Sequence, residues 1–222
     1  MAFAALVEPA AAWLEFLEHG PLPIHSPFLN AFEAPAGEPP TVAIAEVARR
    51  LLDHDVIGIC NGAGEIGPRA LGHRSIVARA DSVDLRVRVS ESIKGREWYR
   101  PVAPILCAEA ARQVLEPAAS RSVLSRWMLA SWRVQPDWQV ALAGVLHADG
   151  SVRAQVVDDD GTNEWMHALL SLLWREHGVA ALINTSFNGP GRAIVQRHQD
   201  ARALAQELGL DGVVVHGLLH RP

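Results

Sequence analysis

Residues 56–79 read VIGICNGAGEIGPRALGHRSIVAR, and this stretch decides the fold class. Its two ends, residues 56–60 and 75–78, are short apolar runs rich in β-branched residues, which predicts two buried strands. The glycine-rich segment between them is too irregular to pack as core. Its exposed backbone amides, together with Arg69 and Arg74, are typical of a cradle for an oxyanion or a phosphate. An ordinary surface turn explains the glycines equally well, because the segment matches neither G-x-G-x-x-G nor a Walker loop.

Outward from this stretch, predicted helices and strands alternate along the chain. Apolar periodicity predicts helices over residues 4–18, 41–53, 163–177 and 198–208, and residues 81–93 fit either a helix or a strand, with helix favoured. Apolar runs predict strands over residues 102–107, 140–147, 152–157, 179–183 and 213–216, with a hairpin turn at Asp149 and Gly150. Residues 21–40 carry six prolines and are predicted to form an extended arm. The order predicts a mixed α/β fold with a largely central sheet.

The composition describes one medium globular domain. A formal net charge of −5 does not favour a nucleic-acid partner. No apolar window reaches the ~18 to 20 residues of a membrane span, and acidic residues interrupt the N-terminus where a signal peptide needs an apolar run. We therefore expect a cytoplasmic protein with no membrane partner. Cys60 and Cys107 show no metal or disulfide spacing, so we expect buried, inert thiols and no metal-ligating residues.

A cationic run follows at residues 94–101, which read KGREWYRP. Lys94 is the one lysine among 20 Lys and Arg residues, which suggests a place that needs a compact point charge. Arg96 and Arg100 add two cations beside a single acid, and an apolar strand is predicted to follow directly. Cations held at a strand edge near a glycine-rich loop favour a multiply charged anion as ligand. A solvated helix face is the alternative.

A third element, residues 182–191, reads LINTSFNGPG. Here a predicted buried strand ends in Asn184, Thr185, Ser186 and Asn188. Open α/β sheets place their ligand contacts at such strand ends, so these small polar side chains are candidate binding residues. A turn built from Asn, Ser and Gly, without any ligand, is the alternative.

Four motifs in this order resemble the C-terminal domain of the O-carbamoyltransferases that modify antibiotics and nodulation factors: EIGPRALGHRS, IKGREWYRPVAP, HADGSVRAQ and INTSFNGPGRAIV. The resemblance runs from about residue 21 to the C-terminus. It implies a YrdC-like α/β domain over residues 21–222, with a mixed twisted sheet and flanking helices around a cationic cavity, after an N-terminal helix within residues 1–20. The family's Lys-x-Arg and Ser-x-Asn tetrad falls on Lys94, Arg96, Ser186 and Asn188, which the resemblance implies are catalytic.

The resemblance also implies the chemistry. The domain is expected to bind ATP with Mg²⁺ and carbamoyl phosphate, to release phosphate, and to form carbamoyl-adenylate and pyrophosphate. The carbamoyl group then passes to a small-molecule acceptor, as in natural product biosynthesis. Further substrate contacts are expected from seven polar residues: Arg69, Arg74, Arg100, His147, Arg153, Asn184 and Thr185. Nothing in the sequence resembles the family's N-terminal acceptor domain, so we expect a separate acceptor-binding subunit or a homo-oligomer.

Two other functions stay open on the sequence. The chain could adenylate a different acyl substrate in an amide-forming reaction, or it could be a non-catalytic module that binds nucleotides or RNA. The acidic net charge and the intact tetrad argue against the second of these. His73, Val102 and Arg192 stand where the family's pattern has Asn, Phe and Glu, and these departures affect expectations about the acceptor rather than about activation.

Overall fold

The computed structural model describes residues 28–29, 41–65 and 69–221, which form a mixed α/β fold around a central sheet. The strands in this part of the chain are β1 (Phe28–Leu29), β2 (Ile57–Cys60), β3 (Gly64–Glu65), β4 (Arg74–Arg79), β5 (Ala103–Cys107), β6 (Trp132–Arg133), β7 (Ser151–Val152), β8 (Gln155–Val157), β9 (Leu182–Ser186), β10 (Gly212–Val215) and β11 (Leu218–His220).

Seven of these strands make the central sheet, in the order β11-β10-β2-β4-β9-β5-β8. The pairs β10–β2 and β5–β8 are parallel, and the other neighbours are antiparallel. Two short ribbons stand apart from it, β1 with β3 and β6 with β7. The central strands β2, β4, β5, β9 and β10 are buried along nearly their whole length. This burial explains the continuous apolar sequences of β2, β5 and β10, whereas β4 and β9 combine buried apolar residues with polar residues at their ends.

Helices cover the sheet. They are α1 (Thr41–Leu52), α2 (Val83–Val87), α3 (Ala108–Val114), α4 (Val123–Arg126), α5 (Glu164–His177) and α6 (His198–Glu207), with a π-helix over Arg88–Ile93. Short 3₁₀ segments span Ala119–Arg121, Pro136–Trp138 and Val140–Leu142. Helix α5 shows how local chemistry sets the ends: the Asn163 side chain accepts from the Met166 N–H at 3.1 Å, and Gly178 closes the helix with φ 65°.

The sequence predicted most of these elements correctly. The predicted α/β class with a central sheet and flanking helices is confirmed, as are the helices near residues 41–53, 81–93, 163–177 and 198–208. The strand predicted over residues 140–147 is wrong. That segment is a short 3₁₀ helix followed by a turn, because the Gly144 N–H binds the carbonyl of Ala80 at 2.8 Å and a Cβ there would lie 2.6 Å from the carbonyl oxygen of Ser82. The close approach needs glycine and replaces sheet pairing.

The single strand predicted over residues 152–157 is also wrong in detail. The chain forms β7 and then β8, which belong to different sheets. The predicted turn before them is present: the Gly150 N–H binds the carbonyl of His147 at 2.9 Å, and Gly150 has φ 80°. The turn leads directly into β7, and Arg153 lies in the short connection between β7 of the ribbon and β8 of the central sheet.

Other predictions lie beyond the described residues. The helix over residues 4–18, the boundary at residue 20 and most of the arm at 21–40 fall there, and only β1 of that arm is described, paired with β3. Of the residues that the structure describes, no helix has the length and apolar character needed to cross a membrane. Cys60 and Cys107 are buried as predicted, and burial raises the pKa of each thiol to about 11.

Candidate anion-binding site

Lys94 follows the π-helix and reaches the loop after β9. Its backbone N–H binds the carbonyl of Val89 at 3.2 Å, which is the spacing of a π-helix. Its Nζ donates to the main-chain oxygens of Ser186 and Asn188, each at 2.7 Å, and to Ser186 Oγ at 3.3 Å, and it also contacts Asn188 Oδ1. The lysine therefore ties the helical segment to the end of β9.

Neutral oxygens surround the ammonium of Lys94, a residue that is 6% exposed overall. Burial, and then the positive charge of Arg96, lowers the pKa of Lys94 to about 7. No carboxylate of the described residues forms an ion pair with it. An anion bound beside it would favour the charged form and raise that pKa again. Lys94 thus has the environment of a cation that a negatively charged ligand completes.

Ser186 and Asn188 are half-buried and hydrogen-bonded to one another. The pairing of β4 with β9 places Ser186 opposite Ser75. Ser186 Oγ donates to Asn188 Oδ1 at 2.6 Å, and Asn188 Nδ2 donates to the carbonyl of Arg192 at 2.6 Å. The structure therefore brings three tetrad members, Lys94, Ser186 and Asn188, into direct contact, while their catalytic role stays a prediction.

Three guanidiniums share one electrostatic neighbourhood. Burial, then the charges of Arg69 and Arg96, lowers the pKa of Arg153, and burial followed by the charge of Arg100 lowers that of Arg96. The Nε of Arg153 is buried with no hydrogen-bond partner among the described residues. Within that part of the chain, the side chains of Arg69, Arg96 and Arg153 form no ion pair. Like charges gathered without a counter-charge favour an anionic ligand.

Arg74, which the sequence predicted to contact substrate, lies in the interior of the fold. It is 0% exposed, and its guanidinium donates to the carbonyls of Asn61 at 3.1 Å, His73 at 3.0 Å, Gly62 at 3.0 Å and Gln196 at 3.3 Å. These bonds hold β4 to the loop after β2 and to the segment before α6. The two terminal nitrogens of Arg74 thus bind the protein's own carbonyls, and a phosphate contact at this residue stays a prediction.

The predicted backbone cradle for an anion is also filled. Glu65 Oε1 accepts hydrogen bonds from the backbone N–H groups of Leu71 at 2.7 Å, His73 at 2.9 Å and Arg74 at 3.0 Å. Glu65 is 4% exposed. The amides do gather around a carboxylate, as an oxyanion cradle would require, but that carboxylate belongs to the chain. These three amides are therefore not free to bind a ligand anion.

Arg100 and His147 line an open groove of about 550 Å³, together with Arg86, Trp98 and Tyr99. Arg100 is more than half exposed and pairs with Glu97 at 2.7 Å, so its charge is already matched. His147 Nδ1 lies 3.1 Å from Ser151 Oγ, and burial, modified by nearby charges, lowers its pKa. Lys94 is not part of this groove wall. The predicted cationic cavity around the tetrad thus stays a prediction.

Asn184 and Thr185 face the interior of the fold. Asn184 Nδ2 donates to the carbonyl of Ala70 at 3.1 Å and to Gln155 Oε1 at 2.8 Å, and Gln155 Nε2 donates to the carbonyl of Leu71 at 2.8 Å. Thr185 is 5% exposed. The bonds of Asn184 support the loop before β4, so the structure gives it a scaffold role where the sequence predicted substrate contact.

Sequence reasoning missed Glu65 and Gln155 as parts of this scaffold. Both lie inside the quoted motifs, Glu65 as the first letter of EIGPRALGHRS and Gln155 as the last of HADGSVRAQ. A buried carboxylate beside a glycine-rich turn was the available signal for Glu65, since unpaired backbone amides need an acceptor. Gln155 is the first residue of β8, is followed by two valines, and carried no local signal.

Comparison with known proteins places this chain among the carbamoyltransferase domains. The family described as Carbamoyltransferase C-terminus matches residues 48–221, so the chain belongs to that family. It is 34% identical over 197 residues to Nodulation protein U of Sinorhizobium fredii, covering 88% of this chain and 34% of that protein. It is 36% identical over 170 residues to 3'-hydroxymethylcephem-O-carbamoyltransferase of Amycolatopsis lactamdurans, covering 77% of this chain and 31% of that protein. The chain spans about a third of the length of these relatives.

Proposed function

We propose that this chain activates a carbamoyl group with ATP and transfers it to a small-molecule acceptor. Water first converts carbamoyl phosphate to carbamate and phosphate. A carbamate oxygen then attacks the α-phosphorus of ATP, and the bond to the leaving pyrophosphate breaks to give carbamoyl-adenylate. An acceptor hydroxyl finally takes the carbamoyl group and releases AMP. The name of one relative, 3'-hydroxymethylcephem-O-carbamoyltransferase, favours a small molecule with a hydroxymethyl group as acceptor.

One observation supports the activation step above all others. Lys94 is fixed on Ser186 and Asn188, and Arg69, Arg96 and Arg153 form a cationic set without carboxylate partners in the described residues. Joining carbamate to an α-phosphate brings negative groups together, and preorganised cations offset that repulsion in the transition state. A site for a neutral substrate would not need so many unmatched charges.

Each group has a proposed task. The guanidiniums of Arg69, Arg96 and Arg153 bind phosphate oxygens, and Lys94 balances the charge that develops on the carbamate and the α-phosphate. Ser186 and Asn188 position the carbamoyl end through neutral hydrogen bonds. The described residues hold no group of three or more His, Cys, Asp or Glu arranged for a metal, so we propose that Mg²⁺ arrives on the phosphate oxygens of ATP.

Product release tests the proposal directly. The chain is incubated with ATP, Mg²⁺ and carbamoyl phosphate, and phosphate and pyrophosphate are measured. Lys94→Ala and Arg96→Ala should each lower pyrophosphate release by a factor that corresponds to about 2 to 4 kcal/mol. Arg112→Ala, an exposed arginine on α3, is the matched control and should keep full activity. Wild-type pyrophosphate release by Lys94→Ala would contradict the assignment.

The alternatives give other product patterns. An amide-forming enzyme would release pyrophosphate with a different acyl substrate and not with carbamoyl phosphate. A non-catalytic binding module would bind ATP without releasing pyrophosphate. We further propose that the reaction takes place in the cytoplasm, where ATP and carbamoyl phosphate are available, and that a separate subunit or a second copy of the chain holds the acceptor. Light scattering, and transfer assays with the chain alone, test this last proposal.

A further inference from the structure

The carboxylate of Glu65 gathers the backbone of the turn that precedes β4. One oxygen, Oε1, accepts three backbone hydrogen bonds, from Leu71, His73 and Arg74, at 2.7 to 3.0 Å. The other oxygen, Oε2, is buried and has no hydrogen-bond partner among the described residues. A buried carboxylate is costly unless several donors satisfy it, so this cluster of donors marks a built feature of the fold.

The carbonyl groups of the same turn are held from the opposite side. Asn184 Nδ2 donates to the carbonyl of Ala70 at 3.1 Å, and Gln155 Nε2 donates to the carbonyl of Leu71 at 2.8 Å. Gln155 and Asn184 are also bonded to each other at 2.8 Å. Residues 70–74 are therefore fixed through both their amides and their carbonyls, by side chains that are themselves buried.

Arg69 is the residue directly before this fixed turn. It is exposed, and its charge acts on Arg153. An exposed arginine loses rotamer and backbone freedom when it binds an anion, and a rigid attachment point reduces that loss. The position of Arg69 relative to Arg96 and Arg153 therefore depends on how firmly residues 70–74 are held.

We propose that Glu65 is a positioning residue that presents Arg69 to the phosphate groups of the substrate. Its own carboxylate does not contact substrate, because Oε1 is used by the three amides and the residue is buried. The proposal rests on the proposed function in one respect, namely that Arg69, Arg96 and Arg153 bind phosphate. It adds a specific route: Glu65 acts on ligand affinity through Arg69.

A double-mutant cycle tests this route, with pyrophosphate as the probe and calorimetric titration as the measurement. We expect Arg69→Ala to weaken pyrophosphate binding about tenfold. Glu65→Gln replaces a charged acceptor by a neutral one of the same shape and should weaken binding about threefold to tenfold. In the Arg69→Ala background, Glu65→Gln should change affinity by less than about twofold, because the residue it positions is absent.

Two further variants keep the test decisive. Glu116→Gln is the matched control: Glu116 Oε1 accepts a backbone N–H, that of Arg133 at 2.9 Å, outside the site, and this variant should bind pyrophosphate as the wild type does. If Glu65→Gln does not fold, Gln155→Ala loosens the same turn from its carbonyl side and should show the same dependence on Arg69. Thermal melting of every variant separates binding effects from loss of fold.

The outcomes distinguish this inference from the proposed function. If Arg69→Ala binds pyrophosphate as tightly as the wild type, the anion site itself is wrongly assigned. If Arg69→Ala weakens binding but Glu65→Gln does not, Glu65 serves stability alone. If the two effects add in full, Glu65 acts on binding independently of Arg69, and either result overturns the positioning role. Full coupling of the two losses supports it.

Discussion

Two regions use the same kinds of side chain for opposite purposes. One is the lysine cluster, formed by Lys94, Arg96, Arg153, Ser186 and Asn188, and the other is the Glu65 turn, formed by Glu65 and residues 70–74. In the turn, Arg74 donates four hydrogen bonds to carbonyls and Glu65 accepts three from amides. In the cluster, Arg96 and Arg153 have no side-chain hydrogen bond to any described residue, although each region contains a buried atom without a partner, Arg153 Nε in the cluster and Arg74 Nε in the turn. The comparison teaches that residue type does not separate a site from its scaffold, whereas guanidinium donors that the described residues leave unused do.

The largest expected effect is a difference in unfolding free energy between two arginine variants. Arg74→Ala should lower the free energy of unfolding by about 3 to 5 kcal/mol, because it leaves a cavity and several carbonyls without donors. Arg153→Ala should change that free energy by less than about 1 kcal/mol, since it removes a charge that Arg69 and Arg96 repel. Urea denaturation of both variants measures the difference.

The binding effects of these variants should fall in the opposite order. Arg153→Ala should weaken pyrophosphate binding while the protein stays folded. Equal losses of stability in the two variants would show that Arg153 is also scaffold, and the contrast between the two regions would then be lost.

A second prediction concerns pH. Lys94 has a pKa of about 7 in the fold, so its positive charge is lost as pH rises through that value, although a free lysine keeps its charge up to about 10.5. The advantage of the wild type over Lys94→Met in pyrophosphate binding should therefore be largest below pH 7 and shrink above it. Calorimetric titrations of both proteins from pH 6 to 9 measure the ratio, which also cancels the titration of the ligand.

The same pKa has a consequence for stability. Between pH 7 and 10.5 the unfolded chain binds a proton at Lys94 that the folded chain has released, so wild-type stability should rise with pH across this window relative to Lys94→Met. Parallel curves for the two proteins would mean that Lys94 keeps an ordinary pKa in the fold. The protein's own hydrogen bonds to Lys94 would then stabilise its charge without a bound anion.

The smallest expected effect is that of Ser186→Ala. It removes one neutral donor, which binds Asn188 Oδ1 at 2.6 Å, and should cost about 0.5 to 1.5 kcal/mol in turnover. Affinity for ATP should stay close to wild type, because the cations remain in place. Steady-state kinetics and ATP titration test this pair of statements. A complete loss of ATP binding would instead show that the cations depend on this hydroxyl for their arrangement.

Local patterns in the sequence were sufficient for much of the fold. Short apolar runs marked β2, β4, β5 and β10, and apolar periodicity marked α1 and α5, because burial of a strand or a helix face leaves a signature within a few residues. The tetrad was recognisable for a different reason. Lys94 and Ser186 lie far apart in the sequence, but each belongs to a motif that resembles the same family.

Tertiary partners account for what the sequence did not predict. The sequence motifs gave no reason to distinguish Arg74 from Arg153. Only the folded chain shows that carbonyls from other loops bind Arg74. The strand predicted at residues 140–147 failed because Gly144 packs against the carbonyls of Ala80 and Ser82, which lie about 60 positions earlier in the chain. Neither contact joins only residues that are close in the sequence, so no local sequence pattern predicts it.

The π-helix before Lys94 determines the direction in which that lysine leaves the helix. Each π-turn holds one more residue than an α-turn, so the backbone after Arg88–Ile93 is rotated by about 100° from where an uninterrupted α-helix would leave it. Conversion of this segment to α-helix at the same chain length would direct Lys94 away from the end of β9, whereas conversion with the loss of one residue would leave its direction nearly unchanged. The direction of Lys94 therefore depends on the π-turn and on the number of residues in it.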